Sequence, residues 1–167
     1  MIAKELYRDA MARLGAAVNI VTTTSDTGPV GFTASAVCSV TDDPPTLLVC
    51  MNRSSKSNPA FKASQVLCVN TLAADQEALS TAFATLPDMG ERFRLGEWDE
   101  MHTCAPSLKS AVVNFDCRIK TVTEVGTHSV FFCEVEDVRH GPTTGGLIYF
   151  SRNYHQLIGK NCTVEPD

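Results

Sequence analysis

The sequence contains no Cys-x-x-Cys pair, although seven cysteines are spread along it at Cys38, Cys50, Cys68, Cys104, Cys117, Cys133 and Cys162. An odd number without short spacings argues against a disulfide framework or a zinc knuckle and predicts free thiols in a reducing compartment, the cytoplasm. No apolar run approaches the ~20 residues that a membrane span needs, and the opening MIAKELYRDAMARLG alternates charge with apolar residues, unlike a secretory leader. There is no long basic run, and 14 Lys and Arg against 19 Asp and Glu leave a net charge of −5. Such a surface repels a phosphate backbone, so nucleic-acid binding is disfavoured. Also missing are G-x-G-x-x-G, G-x-x-x-x-G-K-[ST] and G-x-S-x-G, and His102, His128, His140 and His155 share no H-x-x-x-H or H-x-E spacing. Rossmann, P-loop, hydrolase and metal-centre chemistries therefore have little support.

What is present reads as one domain over residues 1–167, with 44% hydrophobic and 20% charged residues. Tyr7, Ala10, Met11 and Leu14 recur at spacings of three and four, which predicts an amphipathic helix ended by Gly15 and packed on a neighbour. Residues 16–24 are β-branched and apolar, SDTGP makes a turn, and residues 30–41 read as a second long strand, together a hairpin. Asp42-Asp43-Pro44-Pro45 breaks the ladder; TLLVCMN and QVLCVNTLA follow as buried strands, with a short helix opening at Asn58-Pro59 between them. Residues 75–84, acidic in the first turn and apolar at Ala78, Leu79, Ala82 and Phe83, predict a helix lying on a sheet. Residues 86–107 mix Pro, Gly, charge and aromatics without a period and read as a flap. Strands return in AVVNFDCRIKTVTEV, HSVFFCEVEDVRH and GLIYFS. Six or seven strands against three short helices predict a mainly β fold, an antiparallel barrel with peripheral helices.

Three segments carry candidate chemistry. Alternation along GFTASAVCSVT puts Gly31, Thr33, Ser35, Val37 and Ser39 on one face and Phe32, Ala34, Ala36, Cys38 and Val40 on the other. The small, hydroxylated face would let a flat heterocycle approach the backbone; equally, it could be a half-exposed strand decorated with Thr and Ser. In Arg53-Ser54-Ser55-Lys56-Ser57-Asn58-Pro59, three hydroxyls and two cations precede a helix with Asn in the cap position and Pro in the first turn. That is a reasonable phosphate cradle, or simply a polar loop capping its helix. His128 follows Gly126-Thr127 at the head of an apolar strand, where a barrel mouth or a backbone-satisfied strand end would both hold it. Phe93, Trp98, Tyr149 and Tyr154 could stack on a ligand or serve as core and rim.

Taken in order, GFTASAVCSVTDDPPTLLVCMN, NPAF, LCVNTLA, ERF, EVGTHSVFFCEV and GLIYFSRNYH resemble the flavin reductase family with the FMN-binding split-barrel fold. More closely, the chain is similar to the small reductase components of 4-hydroxyphenylacetate 3-monooxygenase and of two-component phenol and chlorophenol hydroxylases. The similarity runs from Tyr7 to Tyr154; family members often carry G-D-H where this chain has Gly126-Thr127-His128.

The resemblance implies a homodimer of split barrels that uses NADH to reduce FAD or FMN. Thr33, Ala34, Ser35 and Val37 would line the isoalloxazine ring and Ser39 its ribityl side. Asn52, Arg53, Ser54, Ser57 and Asn58 would hold the ribityl phosphate. His128 would face the nicotinamide, with Arg92, Phe93 and Tyr154 edging the site. Reduced flavin would pass to a separate flavin-dependent aromatic monooxygenase. Two alternatives remain at this point: a non-catalytic flavin- or haem-binding split barrel, and a barrel that binds protein and no small ligand.

Overall fold

The computed structural model describes residues 2–142 and 145–158; Cys162 and the last residues of the expected domain lie outside them. The chain opens with α1 (Lys4–Met11), β1 (Ala16–Ala17), β2 (Asn19–Ser25), β3 (Gly28–Ala34), β4 (Val37–Asp42), β5 (Pro45–Asn52), α2 (Asn58–Ser64) and β6 (Val66–Thr71). It continues with α3 (Glu77–Thr85), α4 (Met89–Phe93), β7 (Trp98–Glu100), β8 (Pro106–Leu108), β9 (Val113–Val125), β10 (His128–His140), β11 (Gly146–Phe150) and β12 (Asn153–Leu157). Seven strands form one antiparallel sheet in the order β3-β2-β6-β9-β10-β5-β4, while β1-β11-β12 and β7-β8 form two smaller sheets. This is the mainly β, antiparallel barrel with short helices that the sequence pattern predicts, and the split barrel that the resemblance implies.

The barrel wall is dressed on both sides, which is why its central strands read as continuous apolar runs. On β2, Val21 points into the inner core with Val49, Phe61, Leu67, Val69 and Phe131. Its neighbour Ile20 points outward to a second core with Val18, Leu72, Phe83, Leu108 and Leu147. Register shifts between β9 and β10 at Phe132/Cys133 and at Val135/Asp137 bend the two longest strands. Gly31 lets α3 approach β3: a Cβ there would stand 2.8 Å from a ring carbon of Phe83.

Five expectations need correction. Residues 16–24 are not one strand, because Val18 between β1 and β2 donates to Leu147 O of β11 and accepts from Leu72 N–H just past β6. Residues 30–41 are not one strand either. The chain turns at Ser35-Ala36, where Val37 N–H closes on Ser35 O at 3.0 Å and Cys50 N–H takes Ala36 O at 3.0 Å. Two residues thus carry it from one edge of the sheet, β3, to the other, β4, and the side-chain parity resets: Val30, Phe32 and Ala34 face the inner core before the turn, and Val37 after it.

The N-terminal helix does not pack its apolar face in this chain. No residue of α1 is buried, and Leu6, Tyr7 and Met11 stay 60%, 54% and 44% exposed. It is tethered near its C-terminal end, where Ser151 N–H donates to Ala12 O at 2.6 Å and Arg152 pairs with Asp9. Ser57, not Asn58, occupies the N-cap position of α2, without a side-chain capping hydrogen bond, and the Asn58 side chain is buried. Finally, residues 86–107 are no loose flap. They fold into α4, β7 and β8; Phe93 and Trp98 pack on Phe83, Asp99 holds Arg139 at 2.8 Å, and Thr103 N–H donates to Asp116 at 2.7 Å. Aperiodic sequence here reflects contacts with other elements, which leave no local period to read.

Candidate functional site

The β3–β4 turn is the centre of a trough. On one side a recess of about 170 Å³ is lined by Val18, Thr33, Ala34, Ser35, Tyr149 and Tyr154. On the other, a recess of about 250 Å³ shares Thr33, Ala34 and Ser35 and adds Cys50, Asn52, Ser55 and His128. Asn52 and His128 in turn border a wider groove of about 770 Å³, with Arg53, Ser54, Asn58, Gly126 and Thr127 in its wall and Lys4 and Arg8 at its rim. Shared lining residues join the three into one path.

Each wall has a local cause. Because Ser35 and Ala36 belong to neither ladder, their N–H groups have no hydrogen-bond partner among the described residues. An oriented pair of main-chain donors at an exposed turn suits an electron-rich heterocycle edge. The Thr33 hydroxyl donates to Ser80 O at 2.6 Å, and the Ser80 hydroxyl meets the Tyr154 phenol at 2.9 Å, so α3 fixes that end. Tyr154 stands edge-on to Tyr149 with ring centres 5.3 Å apart.

At the other end Gly126-Thr127 is a two-residue hairpin turn, since Val125 pairs with His128. Gly126 has φ +55°, the conformation a turn of this kind demands at its first position. It places exposed His128 in register with Asn52 of β5, and its Nδ1 lies 2.9 Å from the Thr127 hydroxyl.

The loop after β5 is tied down internally. Asn52 Oδ1 accepts from Ser54 N–H and from the Ser54 hydroxyl, both at 2.9 Å. Ser55 N–H takes Asn52 O, and the Asn58 amide donates to the Ser129 hydroxyl at 3.1 Å. Arg53 Nη1 donates to Gly126 O at 3.2 Å, and its Nε sits 2.7 Å from Glu124, which Lys62 also meets at 2.7 Å. The Lys62 ammonium first, with the Ser129 hydroxyl and the Arg53 guanidinium, holds the Glu124 carboxyl below its ordinary value. Cys50, by contrast, is pushed up by burial and by nearby Cys38, so it lines the trough as a neutral thiol and not as a nucleophile.

Of the residues singled out in the sequence, Thr33, Ala34, Ser35, Asn52, Arg53, Ser54, Asn58, His128 and Tyr154 line this path. Val37 and Ser39 lie beyond the turn, on an apolar cavity of about 410 Å³ with Leu47, Phe115 and Val135. Ser57 faces a cleft of about 800 Å³ between α2 and the β2–β3 hairpin. Arg92 is spent on the carbonyls of Leu86 and Gly31, and Phe93 is packed 5.1 Å from Phe83 and 4.9 Å from Trp98. None of these five borders the trough in this chain. Conversely, Ser55 does, from within the polar segment before Pro59, and so do Lys4 and Arg8, which no motif announces; only their spacing of four, which sets them on one helical face, is visible in the sequence.

Small residues at a strand break, free main-chain donors, an imidazole and a loop carrying Arg53 line one groove. The chain matches the flavin reductase like domain over residues 11–157, and it belongs to that family. Among its relatives, the FMN reductase (NADH) RutF of Ancylobacter novellus is 60% identical over 158 residues, covering 95% of this chain and 87% of that protein. A crystal structure of a candidate flavin reductase from Haemophilus somnus superposes with a TM-score of 0.90 at 45% identity, covering 93% of this chain and 99% of that one. BorF, the flavin reductase component of a bacterial two-component tryptophan halogenase, superposes with a TM-score of 0.86 at 25% identity, over 95% of this chain and 100% of that one.

Proposed function

We propose that this chain is an NADH-dependent flavin reductase whose flavin lies along the Thr33-Ala34-Ser35 strand end. The observation that carries the reading is the convergence, on one path, of that strand end, His128 and the Asn52-Arg53-Ser54 loop. When bound, the flavin supplies an acceptor for the hydride of the nicotinamide, so the protein needs no acid, base or nucleophile of its own.

The work left to the chain is positioning and charge. Ala34 turns its methyl into the inner core and leaves its main chain on the trough wall for the ring, and the free N–H groups of Ser35 and Ala36 favour negative charge on the ring edge they face. His128, held through Nδ1 by Thr127, orients the nicotinamide at the border of the middle recess and the wide groove. Arg53 and Ser54, braced by Asn52, take the ribityl phosphate; buried Asn58 supports that loop from below. The phosphate site is therefore made by side chains, because the N–H groups of Ser54, Ser55, Ser57 and Asn58 are used within the loop. FMN as the acceptor is supported by the name of the Ancylobacter relative.

The reduced flavin then passes to a separate flavin-dependent monooxygenase, with an aromatic hydroxylase of the 4-hydroxyphenylacetate, phenol or chlorophenol type as the recipient. We place the enzyme in the cytoplasm as a homodimer. The six cysteines among the described residues are free, and none of the described helices is long and apolar enough to cross a membrane.

The test is anaerobic: purified protein, NADH and FMN should bleach the visible flavin absorbance catalytically. Binding of FMN without NADH consumption would reject the reductase reading in favour of a non-catalytic flavin barrel.

A further inference from the structure

The wide groove beside His128 has more cations at its rim than the fold uses. Two of them, Arg53 and Lys62, are engaged by the same Glu124 carboxylate at 2.7 Å, so this trio contributes a net charge of only about one. The other two, Lys4 and Arg8, come from α1 and have no ion-pair or side-chain hydrogen-bond partner among the described residues. A spacing of four puts them on one face of the helix, and both line the groove. Nothing in the packing of α1 demands either side chain, since no residue of this helix is buried and its tether is made by Ala12 and Asp9. Two unspent positive charges on a helix with no burial of its own, facing the open end of a flavin trough, lack a structural purpose.

We infer that Lys4 and Arg8 are anion-binding residues of this site, closing over the phosphate of the bound nucleotide opposite Arg53. The inference rests on the flavin reading above and extends it to an element that carries no flavin motif. A phosphate monoester brings a charge between one and two, which the Arg53–Glu124–Lys62 trio alone does not offset. Two further cations more than supply the missing charge, through charge-assisted contacts that weaken as salt rises. The group could be the terminal phosphate of FMN or the pyrophosphate bridge of the pyridine nucleotide; both present anionic phosphate oxygens to the cation pair.

The experiment compares FMN with riboflavin, which differ only in that phosphate, on the full chain and on a Lys4→Gln/Arg8→Gln variant with an unchanged melting temperature. If the flavin phosphate is the ligand, the variant's Kd for FMN rises about tenfold while that for riboflavin does not move, and high salt abolishes the difference. If the pyridine nucleotide is the ligand, the KM for NADH, measured with riboflavin as acceptor, rises instead. A Lys4→Arg/Arg8→Lys exchange restores wild-type values in either case. An FMN to riboflavin ratio and an NADH KM both unchanged in the Gln variant would overturn the inference. Wild-type protein that binds neither flavin would overturn the flavin reading itself, an outcome seen before any variant is made.

Discussion

Two polar regions of this barrel are built from similar residues and treated oppositely. Outside the wall, beneath β7 and β8, Asn70 Oδ1 accepts from Leu108 N–H and the Asn114 amide, while Asn70 Nδ2 donates to Ile20 O at 2.9 Å and to the Thr22 hydroxyl at 3.1 Å. Asn114 passes the network to Arg139, which grips Asp99. In the trough, Ser35, Ala36 and His128 stay exposed, with two main-chain donors uncommitted. A buried polar group must find its partner within the chain, whereas one at an open groove can wait for a ligand. The contrast separates residues that hold the barrel together from residues available for chemistry, and each can be perturbed without the other.

The largest effect belongs to the closed network. Asn70→Leu removes all six hydrogen bonds of the Asn70 side chain and should cost about 3 kcal/mol or more of stability, read as a fall in melting temperature; flavin affinity of the protein that stays folded should be unchanged. A stable Asn70→Leu protein would show that the network is ornamental.

Smaller, and confined to activity, is His128→Ala. The ring is exposed and its one hydrogen bond among the described residues is to Thr127, so the melting temperature should hold, while kcat/KM for NADH falls about tenfold, or about 1.4 kcal/mol of transition-state stabilisation. Loss of stability with unchanged kinetics would move His128 to the structural side of the comparison.

The smallest effect sits at Glu124, on the border between the two. Its folded pKa lies below the ordinary carboxylate value, so its ion pairs contribute stability above the unfolded pKa, and that contribution is lost as pH falls through the folded one. The melting-temperature difference between wild type and Glu124→Gln should therefore be present at neutral pH and shrink in acid, below the normal carboxylate range. A difference that persists unchanged in acid would mean that packing, not charge, is what Glu124 contributes.

Much of this was legible beforehand, and the failures share a cause. The Gly126-Thr127 turn and the apolar strands around it follow from local chemistry: a two-residue turn needs a residue free to take positive φ, and a wall buried on both sides needs unbroken apolar runs. The break at Ser35-Ala36 was not legible, because Ser and Ala are compatible with a continuing strand; only the closure of the sheet demands that the chain leave β3 there. The position of Arg92 away from the trough is hidden for a related reason. Its partners, Leu86 O and Gly31 O, are main-chain groups that carry no side-chain signal.

Residue order alone determined the strand-rich class, the placement of the helices between strands, the hydroxylated strand end and the polar loop before Pro59, since periodicity, turn chemistry and capping act over a few neighbouring positions. Tertiary structure decided which candidates share a groove, that Val37 and Ser39 fall on another cavity, and that Lys4 and Arg8 stand beside His128. Those outcomes depend on how a seven-stranded sheet curls until its two edges are two residues apart, and curling couples positions that no local rule relates.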